Sequence, residues 1–199
     1  MSPTVDAVVA ATGLSTGSAV AALGSLTDLR LLVRNAHRGR DSARRLDDPD
    51  RLLDAYAAAA AERKRPPSIR VGVTWREVVD GTTTAGRAWA AAGIIWAATG
   101  IVASEAIAPY LTNVNTSHVY IAGRSLPDLA HAAEVAGLRP IEGGRLQLSV
   151  FPTTATSHLI ERAGDMMVAP WPRVFADLRM SGVRGEDVAE HLREIRHGP

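Results

Sequence analysis

The sequence predicts an α+β protein, with a helix-turn-helix and a β-hairpin first and a mixed α/β domain behind them. Three observations carry this reading. A glycine-bearing turn, Thr12-Gly13-Leu14-Ser15, separates two short helical patterns. An arginine-rich strand–turn–strand pattern follows directly. The tandem Pro66-Pro67 then divides the chain, and strand and helix patterns alternate beyond it.

Residues 4–11 place Val5, Val8 and Val9 at helical spacing. Gly13 can take a positive φ and stop that helix, and Ser15 or Thr16 can cap the next one. The second helix is expected over about residues 17–29, with Val20, Leu23, Leu26 and Leu29 on its inward side. Small residues (Thr16, Ser18, Ala19, Ala22) mark its N-terminal half, where a backbone could enter a groove. Leu31-Leu32-Val33 reads as a strand, residues 35–40 as a turn, and residues 42–46 as the returning strand. Helix, turn, helix and hairpin together make a winged helix-turn-helix. Asp47-Asp48-Pro49-Asp50 caps a helix carrying Leu52, Leu53 and Tyr56. The expected domains are residues 1–65 and 66–199.

In the second domain Ile69, Val71 and Val73 alternate as a strand. Residues 85–111 are alanine-rich and read as helix, broken near Gly100 and closed by Pro109. Within them, residues 88–104 carry no charge but are too short and too mildly apolar for a membrane span, so a buried core helix is expected. Residues 117–121 read as a strand. Ser125 with Asp128 forms a capping box before the face Leu129, Ala132, Ala133 and Ala136, and Gly137 ends that helix. Leu146, Leu148 and Val150 alternate as a strand. Pro172 opens a helix with Val174, Phe175 and Leu178, and Gly182 stops it. A last helix follows, with Glu186 and Asp187 at its positive end and Val188, Leu192 and Ile195 as its buried stripe.

The 199 residues suit one domain or two small ones, at about one per 150 residues. At 46% hydrophobic and 22% charged, the composition is that of a globular chain able to bury a core. With no cysteine, disulfides, cysteine zinc sites and thiol nucleophiles are excluded. Met1-Ser2-Pro3-Thr4 lacks the start of a secretory signal, and a cytoplasmic protein is expected. Net charge is +1, yet Arg30, Arg34, Arg38, Arg40, Arg44 and Arg45 face only Asp41, a local excess of five positive charges.

Two blocks carry a resemblance. One is AATGLSTGSAVAALGSLTDLRLLVR with RRLDDPDRLLDAYA behind it; the other runs from SHVYIAGRSLPDLAHAAEVAGLRP through APWPRVFADLRMSGVRGEDVAEHLREI. In the tail, Asp177-Leu178, Arg184-Gly185-Glu186 and Ala189-Glu190-His191-Leu192 match the Asp-Leu pair, Arg-Gly turn and Ala-Glu-His-Leu helix of one family. The chain resembles actinobacterial AbiEi-type antitoxins of type IV toxin–antitoxin systems. The resemblance implies an autorepressor that binds repeats in its own promoter through the winged helix. It further implies a C-terminal antitoxin domain that neutralises a nucleotidyltransferase-like toxin, with or without direct contact. The sequence departs from the usual winged helix, because only three or four residues precede the turn pair. Either the domain is shortened or a helix lies upstream of this start.

The expected DNA-contacting residues are Ser15, Thr16, Ser18 and Ala19 at the recognition helix, with Arg34, His37, Arg38, Arg40, Arg44 and Arg45 in the wing. A wing used for protein contact is the competing reading. Arg184 and Glu186 are either a partner-contact patch or a turn with helix-opening charge. No catalytic, metal or cofactor site is expected. Gly24-Ser25 lies inside the recognition helix and Asp48-Pro49-Asp50 in a capping turn, so the metal-holding pair of a nucleotidyltransferase is missing. None of the six histidines falls in a ligand-pair spacing. The partners expected are operator DNA and the toxin, with a homodimer on paired half-sites and no membrane. The alternative function is a ligand-responsive winged-helix transcription factor unrelated to a toxin.

Overall fold

The computed structural model describes residues 3–34, 44–111 and 113–197. The protein is α+β, and the chain divides into two compact units, Met1–Tyr56 and Ala57–Pro199. The division falls inside a helix rather than at Pro66-Pro67.

In the first unit, α1 (Val5–Thr12) and α2 (Thr16–Asp28) are bent from one another by 116°. Thr4 caps α1 by accepting from the Ala7 N–H at 3.2 Å. Gly13 ends α1 at φ 69°, in the left-handed region where a side chain would be strained. Ser15 caps α2 by accepting from the Ser18 N–H at 3.2 Å. Strands β1 (Leu32–Arg34) and β2 (Arg44–Leu46) pair antiparallel, with Leu32 opposite Leu46 and Arg34 opposite Arg44. Helix α3 (Pro49–Glu62) starts with the Asp48 carboxylate accepting from the Arg51 N–H at 3.0 Å. The Arg51 guanidinium reaches back to the Leu29 and Arg30 carbonyls at the end of α2, each at 3.4 Å.

The inward stripe of α2 is out of phase with the expected one. Ala19 and Leu23 are buried, whereas Val20 is 50% and Leu29 61% exposed. Counting by threes put Val20 and Leu29 on the core side; the i, i+4 step from Ala19 to Leu23 is the one the structure uses.

The second unit is built on a seven-stranded mixed sheet. Its strands are β3 (Ser68–Gly72), β4 (Trp96–Thr99), β5 (Ser117–Ile121), β6 (Arg139–Pro140), β7 (Leu146–Val150), β8 (Glu161–Ala163) and β9 (Met166–Val168). They lie in the order β6-β3-β7-β5-β4-β9-β8. Two of the pairs are parallel (β7 with β5, β4 with β9) and the other four are antiparallel. The helices are α4 (Val78–Ala91), α5 (Gly100–Ile107), α6 (Leu126–Val135), α7 (Thr154–His158), α8 (Trp171–Arg179) and α9 (Val183–His197).

The alanine-rich stretch is not one broken helix. It holds the end of α4, the fully buried strand β4 and the start of α5. Small apolar residues such as Ala97 and Ala98 fit a central strand covered on both faces, where no alternation is required. No single helix among the described residues is long and apolar enough to cross a membrane.

Opposite sheet faces carry different helices. Ser117 accepts from Thr82 of α4 at 2.9 Å, and the Trp89 indole N–H of α4 donates to the Ala132 carbonyl of α6 at 2.7 Å. The next residues along these strands look the other way, where Tyr120 and Thr99 meet α8. The expected capping box is present, with the Asp128 carboxylate accepting from the Ser125 N–H at 3.0 Å. In α9, Val188, Ala189 and Leu192 are buried and Ile195 is 57% exposed, so the inward stripe stops a turn earlier than expected.

Candidate functional site

The first unit places small and polar side chains on the outer side of α2 and arginines on the hairpin. Thr16, Ser18 and Val20 are exposed along α2. The Ser15 hydroxyl lies 2.9 Å from that of Ser18 as well as capping the helix, so these two serines are mutually oriented. Ala19 corrects the expectation placed on it. It is fully buried and packs inward, whereas its neighbours Ser18 and Val20 are exposed.

Arg34 stands directly opposite Arg44 in the hairpin register, and Arg45 lies opposite Val33. Like charges facing each other across a strand pair repel, by up to about 1 kcal/mol, unless an anion lies between or above them. Arg44 is half-buried, and its guanidinium Nε donates to Thr27 of α2 at 3.3 Å, tying the hairpin to the end of that helix. Arg45 is an outer residue, 65% exposed, with a 3.3 Å surface ion pair to Asp47. Such a pair contributes little and can be exchanged for a phosphate. His37, Arg38 and Arg40 lie outside the described residues.

In the second unit, Arg184 and Glu186 are both exposed at the start of α9, and the Arg184 guanidinium donates to the Asn113 carbonyl at 3.3 Å. Gly185 between them is packed tightly. A Cβ built there would meet the Leu178 carbonyl oxygen at 2.3 Å, so the absence of a side chain lets α9 turn against the end of α8. Asp177, of the Asp-Leu pair in the tail, is 5% exposed and accepts from Thr99 at 2.5 Å, Tyr120 at 2.7 Å and the Arg173 Nε at 3.2 Å. A second guanidinium nitrogen of Arg173 completes the ion pair, and the Arg173 Nε also donates to the Tyr120 hydroxyl at 3.0 Å. Burial, then the neighbouring Asp177 carboxylate, pushes the Tyr120 phenol well above its ordinary value, which keeps it a donor. These contacts are structural: they join β4, β5 and α8.

Beside this network the sequence reading missed a polar array. Arg70 pairs with Gln147, and Gln147 with His118, across β3, β7 and β5. One step along, Ser68 pairs with Ser149 and Ser149 with Tyr120. Residues two apart share a face, so six polar side chains from three neighbouring strands lie together. The signal was the polar half of each alternating strand, Ser-Ile-Arg, His-Val-Tyr and Gln-Leu-Ser, of which only the apolar half was used. His118 Nε2 is 2.9 Å from the Ser149 hydroxyl, which also accepts from the Gln147 amide at 3.2 Å.

That geometry invites a nucleophile reading, and the electrostatics oppose it. Burial lowers the His118 pKa from 6.5 to about 4, outweighing the opposing pull of Asp177, while Arg173 and Arg70 lower it further. So weak a base is a poor activator of a serine hydroxyl at neutral pH, and Gln147 draws on the same oxygen. Among the described residues no group of three or more His, Asp or Glu side chains converges to hold a metal. Comparison with family models, with curated proteins and with solved structures gave no match to this chain.

Proposed function

We propose that residues 1–65 form a winged helix-turn-helix that binds duplex DNA, and that the chain is a transcriptional autorepressor and the antitoxin of a type IV toxin–antitoxin pair. The observation that carries the reading is the short turn at Gly13 between two helices bent by 116°, followed at once by an antiparallel hairpin rich in arginine. In this reading α2 enters the major groove with Thr16, Ser18 and Val20 toward base edges. The exposed Val20, absent from the expected contact set, offers an apolar partner to a thymine methyl group. Arg34, Arg44 and Arg45 meet phosphates, and the repulsion between Arg34 and Arg44 is relieved when an anion arrives. Arg38 and Arg40 extend the same charge by sequence.

The second domain, residues 66–199, is the antitoxin half, and the exposed Arg184 and Glu186 are its partner contact. The toxin it counters resembles a nucleotidyltransferase, the site of action is the cytoplasm where operator DNA lies, and no catalysis is assigned to the chain. Two copies on paired half-sites are expected by the symmetry of such operators. Co-expression with the neighbouring open reading frame tests the whole reading. Rescue of growth together with retention of the upstream duplex supports it. Duplex retention without rescue leaves a regulator unrelated to a toxin, and neither result sinks both halves.

A further inference from the structure

The polar array opens to solvent at one end, where Ser68 and Arg70 are exposed, while Ser149 is buried at its floor. Where α8 ends, at Met180 and Ser181, the same sheet face continues over β7 and β3 and forms one wall of a cavity of about 360 Å³. That is at the small end of the range of about 300–1,000 Å³ typical of metabolite sites. A sheet face without a ligand or a water-facing role is normally apolar and packed under a helix. Here three adjacent central strands turn Arg70, Gln147, His118, Ser68 and Ser149 toward that space, and Arg65 borders it from the segment before β3.

The charge in the cavity is one-sided. Asp177 is the one carboxylate among its lining residues, and it is spent on Arg173, Tyr120 and Thr99. Among the described residues the lining offers the guanidinium groups of Arg65 and Arg70 no carboxylate besides Asp177, and Arg70 makes a long 3.4 Å bond to the Gly144 carbonyl. His118 is neutral near pH 7 and adds hydrogen-bonding capacity without charge. Two guanidinium groups near a mouth, over a floor of amide and hydroxyl groups, suit a ligand with an oxyanion at one end and hydroxyl groups along its body.

We propose that the cavity bounded by Arg65, Arg70, His118, Gln147 and Ser149 binds a compact phosphorylated metabolite of the size of a pentose phosphate. The phosphate lies between Arg65 and Arg70, and the hydroxyl-bearing part lies over Gln147, Ser68 and Ser149. The site lies within the compact unit Ala57–Pro199, and none of its residues is among the DNA contacts named above, so either reading can fail without the other.

Isothermal titration calorimetry of the full chain decides it, with ribose 5-phosphate, glycerol 3-phosphate, ribose and succinate as titrants. Saturable binding of a phosphate ester, none of ribose, and weaker binding of succinate are expected. Replacing Arg70→Gln should weaken the phosphate ester at least about tenfold, since a charge-assisted fork is lost. Arg65→Gln, in the segment before the first strand of the sheet, should do the same and keeps the test valid if the strand variant does not fold. The proposal is overturned if neither ester saturates below about 10 mM, if succinate binds more tightly than both, or if the folded arginine variants bind as the parent does.

Discussion

Asp177→Ala removes the acceptor on which a buried cation and two buried hydroxyl groups converge. Arg173 is 8% exposed, and its charge would lose its carboxylate partner. Breaking a buried pair from one side costs about 3–5 kcal/mol. Thr99 and Tyr120 also lose the oxygen to which they donate at 2.5 and 2.7 Å, a penalty that overlaps the first and does not simply add to it. Against a total stability of about 5–15 kcal/mol, this is a large fraction. At roughly 2–4 °C per kcal/mol the melting temperature should fall by roughly 6–20 °C. Urea unfolding followed by circular dichroism measures the loss as a lower midpoint at unchanged slope. The double variant Arg173→Met with Asp177→Leu removes both charges and should recover much of it. A single variant costing under about 1 kcal/mol, or a double variant no better than the single one, refutes the reasoning.

Two further expectations come from the same unit. His118 holds a folded pKa of about 4 against 6.5 in the unfolded chain, so the unfolded state binds more protons between those values. The His118 contribution is therefore full above about pH 6.5 and lost as pH falls toward 4, by on the order of 2–3 kcal/mol; in His118→Gln the fall over that window should be shallower by that amount, as read by chemical denaturation. Gly185→Ala puts a methyl group against the Leu178 carbonyl oxygen, where a Cβ comes to 2.3 Å. The last helix must shift, costing about 1–3 kcal/mol in a thermal melt; an unchanged melt would show that α9 is not held there.

Much of the fold was legible in the sequence because it rests on local chemistry. The Ser125–Asp128 box, the Gly13 turn and the alternation in residues 146–150 each act within a few residues. What was missed depends on long-range packing. Trp96-Ala97-Ala98-Thr99 has neither period, so only its place between β5 and β9 makes it a strand. Val20 and Ala19 are both apolar, and which of them turns inward is set by where the rest of the first unit lies. Ile195, one turn beyond the buried Leu192, is 57% exposed, and nothing in its local pattern marks where the inward stripe stops. The polar array is the clearest case. Ser68, Arg70, His118, Gln147 and Ser149 come from three distant stretches, and only the register of β3, β7 and β5 makes them neighbours.

The nucleic-acid reading is tested most directly by the salt dependence of binding to the duplex upstream of the gene, followed by fluorescence anisotropy with the full chain. If Arg34, Arg38, Arg40, Arg44 and Arg45 each meet one phosphate, log K against log salt should fall with a slope of about −4.5, and Arg34→Ala or Arg45→Ala should each make it shallower by about 0.9. Binding that ignores salt, or a slope unchanged in both variants, would contradict it.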